Sequence, residues 1–91
     1  MNRFVKDPSA VLDYKFDWSD WLASGETIIS KTITAEDGIT VDSSSIEDDA
    51  TSVVVWLSGG TATENYEVTC QITTSAGRTD ERTAKWYVRE R

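Results

Sequence analysis

The clearest pattern of apolar and polar positions lies in the last third of the chain. Between residues 65 and 73 every second side chain is apolar: Tyr66, Val68, Cys70 and Ile72. Because successive side chains of an extended chain point to opposite faces, this alternation predicts a strand with one buried face. A small polar stretch ending at Gly77 follows, and the alternation then resumes at Ala84, Trp86 and Val88. Two alternating runs with a short turn between them predict a β-hairpin.

A third strand is predicted immediately before this hairpin. Residues 53–57 form an apolar run rich in β-branched side chains, which favour extended structure. The stretch Ser58-Gly59-Gly60-Thr61 then interrupts the run, as glycine and serine do in turns. Because the connections are short, the three strands are expected to pair antiparallel.

The run at residues 53–57 directs two large apolar side chains away from the core. If Leu57 faces inward at the end of this strand, alternation sends Val54 and Trp56 outward. Two explanations stay open. Either the N-terminal segment around Phe4 and Val5 covers these side chains, or they belong to a surface that contacts another protein.

The first part of the chain contains a further alternating run. Residues 12–16 alternate between apolar and charged side chains, which predicts the first strand of a sandwich. The spacing then changes, since Trp18, Trp21 and Leu22 recur at helical intervals. We predict one helical turn there, ending near Gly25.

The middle of the chain predicts two more strands and a loop. Residues 26–34 are rich in β-branched side chains, and we expect Ile29 and Ile33 to face the core with Ile28 on the opposite face. Glu36-Asp37-Gly38 is a hairpin turn signal, and a short strand at residues 39–41 follows it. Residues 42–50 are rich in serine and acidic side chains, which predicts a solvated loop.

Composition confines the chain to a few classes. With 91 residues it is predicted to form one domain, residues 11–91, after an extended N-terminal segment of residues 1–10. The net charge of −7 would repel a nucleic-acid backbone or an anionic membrane surface, so neither is an expected partner. Neither an export signal nor an apolar stretch of membrane-spanning length is seen in the sequence. We therefore expect a chain that is made and kept as a soluble protein.

Few residues could carry chemistry. Asp17 and Asp20 beside Trp18 and Trp21 would suit a glycosidase or a sugar-binding site, but helix-end electrostatics and core closure explain them as well. The acidic cluster at residues 47–49 could bind Ca²⁺, yet it lacks the spacing of a calcium loop. With no histidine and one cysteine, neither a zinc site nor Ser-His or Cys-His catalysis is expected. We predict no catalytic residue, no metal, no cofactor and no small-molecule substrate.

The single cysteine, Cys70, lies between Val68 and Ile72 on the apolar face of its strand. It cannot form an internal disulfide, and a small hydrophobic side chain suits this position. We therefore expect a buried, inert thiol, with a reactive or cross-linking thiol as the alternative.

Charge is distributed unevenly along the chain. Residues 78–91 carry a net charge of +2, whereas residues 1–77 carry −9. The cationic side chains of this last segment either protect an exposed sheet edge or pack against an acidic surface of a neighbouring copy or partner. On the second interpretation, the candidate interface comprises Val54, Trp56, Arg78, Arg82, Lys85 and Arg89.

A local resemblance bears on the fold. The stretch from Leu57 to Val68, with its glycine turn and Tyr66, resembles the corner between strands E and F of fibronectin type III and immunoglobulin-like (Ig-like) domains. In such domains a tyrosine ring packs in the core while its hydroxyl bonds backbone near the corner. The resemblance implies an all-β fold: a single Ig-like, fibronectin type III-like antiparallel β-sandwich of about seven strands, with the short helical turn after the first strand.

A wider resemblance spans nearly the whole chain. Five segments together resemble a family of small virion proteins of tailed phages and prophages, some described as fibre-to-tail adaptors: Lys6-Asp7-Pro8, Leu12-Asp13-Tyr14, Asp17 to Leu22, Val55 to Thr61 and Ile72 to Arg82. The resemblance implies a non-enzymatic structural protein of the virion, in the tail, the fibre attachment or the head–tail region. Its partners would be other virion proteins, a further copy of the chain among them. The alternative is a free-standing adhesion or carbohydrate-binding module that stacks sugars on Trp18, Trp21 or Trp56.

Overall fold

The computed structural model describes residues 3–6 and 10–89, and in these ranges the chain forms strands and turns without a helix. Antiparallel pairing joins six strands: β2 (Leu12–Asp17), β3 (Ile28–Ala35), β4 (Ile39–Glu47), β5 (Ser52–Gly59), β6 (Asn65–Thr74) and β7 (Thr79–Val88). Strand β1 (Arg3–Lys6) precedes them and pairs in parallel with β7. The predicted all-β class is confirmed, but the described part of residues 11–91 holds six strands rather than about seven.

The strands form two sheets packed face to face. The four-stranded sheet has the order β1-β7-β6-β3, and the three-stranded sheet has the order β2-β5-β4. Strand β5 is central in its sheet, since β2 and β4 pair with its two edges. The body is elongated, with principal extents of 43 × 20 × 20 Å.

The core lies between the sheets and follows the predicted alternation. On β5, Val53, Val55 and Leu57 are fully buried, as expected. On β6 and β7 the buried apolar positions are Tyr66, Val68, Cys70, Ile72, Ala84, Trp86 and Val88. Burial of side chains of this size stabilises the fold by about 1.5–3 kcal/mol each.

Tyr66 fixes the corner between β5 and β6. Its hydroxyl oxygen accepts a hydrogen bond from the backbone N–H of Thr61 at 2.8 Å, which confirms the predicted bond to backbone. Two glycines with positive φ pack tightly nearby. A Cβ on Gly38 would lie 2.8 Å from Cε1 of Tyr66, and a Cβ on Gly60 would lie 2.7 Å from Cγ2 of Val88. A larger residue at either position would displace the core side chain that it meets.

The predicted orientations of two isoleucines on β3 are wrong. Ile28 is buried and Ile29 is 61% exposed, whereas Ile29 was expected to face the core and Ile28 the opposite side. A β-bulge shifts the register between Ile28 and Ser30, so that Ile29 is the extra residue. The shift lets Ile28 and Ile33 share the inner face, where Ile33 packs against the core as predicted.

One other prediction for the first half of the chain is also wrong, and a second is not confirmed. The expected loop at residues 42–50 is strand as far as Glu47, because β4 continues along β5 through a second bulge. Non-glycine residues with positive φ then form the turn that follows, at positions 48–50. The expected helical turn after β2 is a hydrogen-bonded turn without a helix, in which the carbonyl oxygen of Trp18 accepts from the N–H groups of Trp21 and Leu22.

Candidate interaction surface

The outer face of the three-stranded sheet carries an exposed tryptophan at its centre. Trp56 on β5 is 42% exposed, and Val54 on the same face is half-buried. Because β5 is the central strand of its sheet, Trp56 projects from the middle of the outer face. Both side chains thus face outward as predicted. We call this outer face, with Trp56 at its centre, the Trp56 face.

Pairing register places polar residues on both sides of Trp56. Asp13 of β2 lies directly opposite it on one side and Ser43 of β4 on the other. The bulge in β4 adds Asp42 at this level, and its Oδ1 accepts a hydrogen bond from the hydroxyl of Ser58 at 2.9 Å. The indole is therefore flanked by carboxylates from both neighbouring strands.

Lys15 is the cation of this face and is held by a carboxylate. Its Nζ lies 2.7 Å from Oδ2 of Asp48, with each side chain about half exposed. The hydrogen bond to Asp48 raises the pKa of Lys15, and the same bond, followed by one from Ser52, lowers the pKa of Asp48. A pair this exposed contributes little stability, but it places the charge of Lys15 beside a carboxylate of the same chain.

The predicted cationic residues do not join Val54 and Trp56 on one surface. Arg78 lies after β6, where its guanidinium pairs with Glu26 and stacks over the ring of Trp21 at 3.9 Å. Arg82 lies over the ring of Trp18 at 4.9 Å and donates to the backbone carbonyl of Asp17. Both arginines therefore close the end of the sandwich, away from the Trp56 face.

The other two candidates belong to the opposite sheet. Lys85 is exposed on β7 and its Nζ lies 3.8 Å from Oε2 of Glu67, its register partner on β6. Arg89 is exposed just after β7, and its backbone N–H donates to the carbonyl of Lys6. The four cationic candidates thus lie at the sandwich end and on the four-stranded sheet, not beside Trp56.

Two of the three tryptophans suggested as stacking platforms for sugars do not expose their rings for such stacking. Trp18 is fully buried, and its Nε1 donates to Oδ2 of Asp80 at 2.8 Å. Trp21 is half-buried beneath Arg78. Asp17 accepts the N–H of Ser19 at 2.8 Å, a local turn bond that lowers the pKa of its carboxyl. Of the three, Trp56 is the most exposed, at 42%.

Neither a metal centre nor a membrane span is found in the part of the chain that the structure describes. Within residues 3–6 and 10–89, no three His, Cys, Asp or Glu side chains group as metal ligands would. The same residues contain no helix of the length and apolar character needed to cross a bilayer. In the acidic cluster considered for Ca²⁺, Asp48 is instead bonded to Lys15 and Ser52.

Some residues of this surface escaped prediction. The alternation on β5 was enough to turn Trp56 outward, but the neighbours Asp13 and Asp42 follow from strand pairing, which one strand's pattern does not reveal. The fully buried Lys6, whose Nζ donates to the carbonyl of Gly59 at 2.6 Å, also had no signal, because lysine is seldom buried. Whether side chains of residues 4 and 5 cover Trp56 lies outside the described side chains.

The fold and this surface define a small two-sheet β-sandwich protein with an exposed tryptophan on the outer face of one sheet. The family model described as Podophage GP4 fiber-tail adaptor protein gp77 matches residues 6–86, and the chain belongs to that family. It is therefore a structural protein of a phage virion, of the fibre–tail adaptor type, which confirms the resemblance seen in the sequence. A comparison with curated proteins found no match.

Proposed function

We propose that the chain is a non-enzymatic Ig-like module that joins fibre and tail by binding other virion proteins, with the Trp56 face as one contact. The observation that carries this is the exposure of Trp56 on a central strand. Tryptophan is strongly enriched among the residues that dominate the energy of protein interfaces. Membership of a fibre–tail adaptor family supplies the kind of partner.

The strand order supports the Ig-like assignment. An Ig constant-type sandwich places strands A, B, E and D in one sheet and C, F and G in the other. Here β2-β5-β4 corresponds to B-E-D and β3-β6-β7 to C-F-G, and Tyr66 opens the strand that corresponds to F. Strand β1 takes a place beside G. We accordingly assign residues 11–91 to the Ig-like domain and residues 1–10 to an extended N-terminal segment, of which residues 3–6 pair with β7.

Internal pairing of the arginines shifts the proposed contact toward the apolar residues. Arg78 and Arg82 bond to groups of their own chain at the sandwich end, so they are less available to a partner than the sequence suggested. Lys85 and Arg89 are exposed and remain candidates for a contact on the opposite sheet. An adaptor needs at least two contacts, and these two faces point in opposite directions.

Incorporation into phage particles tests this function. Trp56→Ser removes the exposed indole, and Ile29→Ser is the matched control, because Ile29 is an exposed apolar residue on the other sheet. Both variants should fold, since neither side chain is part of the core. We expect Trp56→Ser to reduce the amount of the protein in purified particles at least about tenfold, as loss of a central aromatic anchor does at interfaces.

The control and a charge variant test whether the virion contact lies elsewhere on the chain. Ile29→Ser should incorporate normally. Arg82→Glu combined with Arg89→Glu tests the basic candidates, and loss of incorporation by this variant alone would move the contact to the sandwich end and the four-stranded sheet. If all three variants fold and incorporate like the unmodified chain, the Trp56 face is not a virion contact.

A further inference from the structure

The Trp56 face carries a strip of apolar surface rather than a single side chain. Val11 immediately precedes β2 and is 56% exposed, and alternation places it on the same face as Asp13. Because Leu12 pairs with Leu57, Val11 lies one step along the sheet from Trp56, within the reach of an aromatic ring. Val54 continues the strip on the other side of the indole.

Carboxylates surround this strip. Five acidic residues lie on the outer face or at its margin, from β2, β4 and the turn after β4: Asp13, Asp17, Asp42, Glu47 and Asp48. Several are fixed in place, since Asp42 accepts from Ser58 and Glu47 accepts from the hydroxyl of Ser45. The cation of the face, Lys15, is paired with Asp48. The result is an apolar centre with a strongly negative rim.

A second copy of the chain is a poor match for this rim. Five cationic side chains in the part of the chain that the structure describes bond to groups of their own chain: Lys6, Lys15, Lys31, Arg78 and Arg82. The exposed Lys85 lies 3.8 Å from Glu67 and, like Arg89, belongs to the opposite sheet. With a net charge of −7, two copies would also repel each other. A different protein with a basic surface matches the rim better than a second copy does.

We propose that the Trp56 face binds a basic surface of a different virion protein, in which an apolar socket for Trp56 is rimmed by lysine and arginine side chains. This inference rests on the proposed function and adds the chemistry of the partner. Opposed potentials set the orientation of such a contact and speed its formation, while the indole provides the anchor. Depletion of charge at the centre and its concentration at the rim match the general anatomy of interfaces.

Reconstitution of particles that lack this protein tests the proposal. The probe is the purified phage particle made from a genome with an amber codon in this gene, to which the full chain is added back. Binding is measured by co-sedimentation as NaCl is raised from about 50 to about 500 mM, a range that shortens the screening length from about 14 Å to about 4 Å. We expect the affinity of the unmodified chain to fall at least about tenfold over this range.

Two variants that each remove two negative charges distinguish an effect of the Trp56 face from an effect of net charge. Asp13→Asn with Asp42→Asn removes two charges beside Trp56, and Glu64→Gln with Glu81→Gln removes two exposed charges elsewhere. The first variant should bind about tenfold more weakly at low salt, with a shallower salt dependence, because its rim charge is gone. The second variant should bind like the unmodified chain. Both must first show unchanged thermal unfolding.

The possible outcomes distinguish this inference from the function on which it rests. If Trp56→Ser weakens binding but the Asp13 and Asp42 variant binds normally at all salt concentrations, the contact stands and its basic partner surface is ruled out. A concentration-dependent dimer of the chain alone that Trp56→Ser abolishes also overturns the inference, since the occupant is then a second copy. No binding of the unmodified chain to the depleted particles overturns both the inference and the proposed function.

Discussion

The guanidinium of Arg78 donates to both carboxylate oxygens of Glu26, at 2.9 Å from Nε and 2.5 Å from Nη2. Glu26 also accepts bonds from the hydroxyl of Thr74 and the N–H of Ala23. Its side chain is 3% exposed, whereas that of Arg78 is 44% exposed. One buried carboxylate therefore ties the β2–β3 connection to the β6–β7 hairpin, and its charged form is needed for all four bonds.

Acid should loosen this end of the sandwich. The hydrogen bonds from Arg78 foremost, then those from Thr74 and Ala23, lower the pKa of Glu26 from 4.5 to about 2. Because the folded pKa is the lower one, the stabilisation is fully present above about pH 4.5 and is lost as pH falls from there toward 2. Glu26→Gln should flatten the pH dependence of the unfolding free energy in this window. Glu81→Gln, at an exposed site, should leave it unchanged; an unaltered profile for Glu26→Gln would contradict the assignment.

Tyr66→Phe should destabilise the protein by about 1 kcal/mol, because the N–H of Thr61 loses its acceptor while the ring stays in place. Chemical denaturation measures the change, and its midpoint should fall while the slope stays the same. Thr61→Ala is the control, since it keeps both the N–H and the phenol and should cost little. A Tyr66→Phe variant as stable as the unmodified chain would show that the bond does not hold this corner.

The bulge in β3 predicts opposite results for two adjacent isoleucines. Ile28→Ala empties a core position and should cost about 2–4 kcal/mol. Ile29→Ala changes a side chain that is 61% exposed and should stay within about 0.5 kcal/mol of the unmodified chain. Thermal or chemical unfolding of the pair is enough. A reversed order would mean that the register of this strand lacks the bulge.

Cys70 should be chemically inert in the native state. Burial raises the pKa of its thiol to about 12, with a small opposing effect of Lys31, so almost no thiolate forms near neutral pH. Labelling by a thiol-specific reagent should therefore proceed only through unfolding and should accelerate with denaturant. Cys70→Ala should cost on the order of 1–2 kcal/mol, as loss of a buried group does. Rapid labelling of the folded chain would place the thiol at the surface.

Much of the fold could be predicted because alternation survives wherever a strand has one buried face. Val53, Val55 and Leu57 on β5 show this, and the same reasoning turned Trp56 outward. The outward orientation of Ile29 was not predicted, because a bulge adds a residue to the strand without changing the pattern of apolar and polar residues. The second half of β4, residues 42–47, was not predicted as strand for a different reason. Its inward side chain Ser44 accepts a hydrogen bond from Lys31 between the sheets at 2.7 Å, so this half lacks an alternating apolar pattern.

Long-range partners were beyond the reach of local patterns. Glu26 and Arg78 are 52 residues apart, and their pairing depends on how two connections meet at one end of the sandwich. The surplus of positive charge after residue 77 was compatible with edge protection or with a surface for a partner. Three of these cations instead lie beside carboxylates of the same chain. For the candidate surface, the alternation on β5 predicted that Trp56 faces outward. The carboxylates beside it, Asp13 and Asp42, could be placed only from the pairing register of three strands.

The parallel pairing of β1 with β7 has a mechanical consequence. Parallel strands form evenly spaced hydrogen bonds along their shared length. A force that draws Arg3 and Val88 apart along the strand axis therefore loads these bonds together, in shear, instead of opening them one after another. The bond from Lys6 to Gly59 adds a cross-tie to the neighbouring sheet at the end of the loaded segment. Because forced unfolding is governed by the unfolding rate, loading these bonds together should make the domain slow to rupture under axial tension.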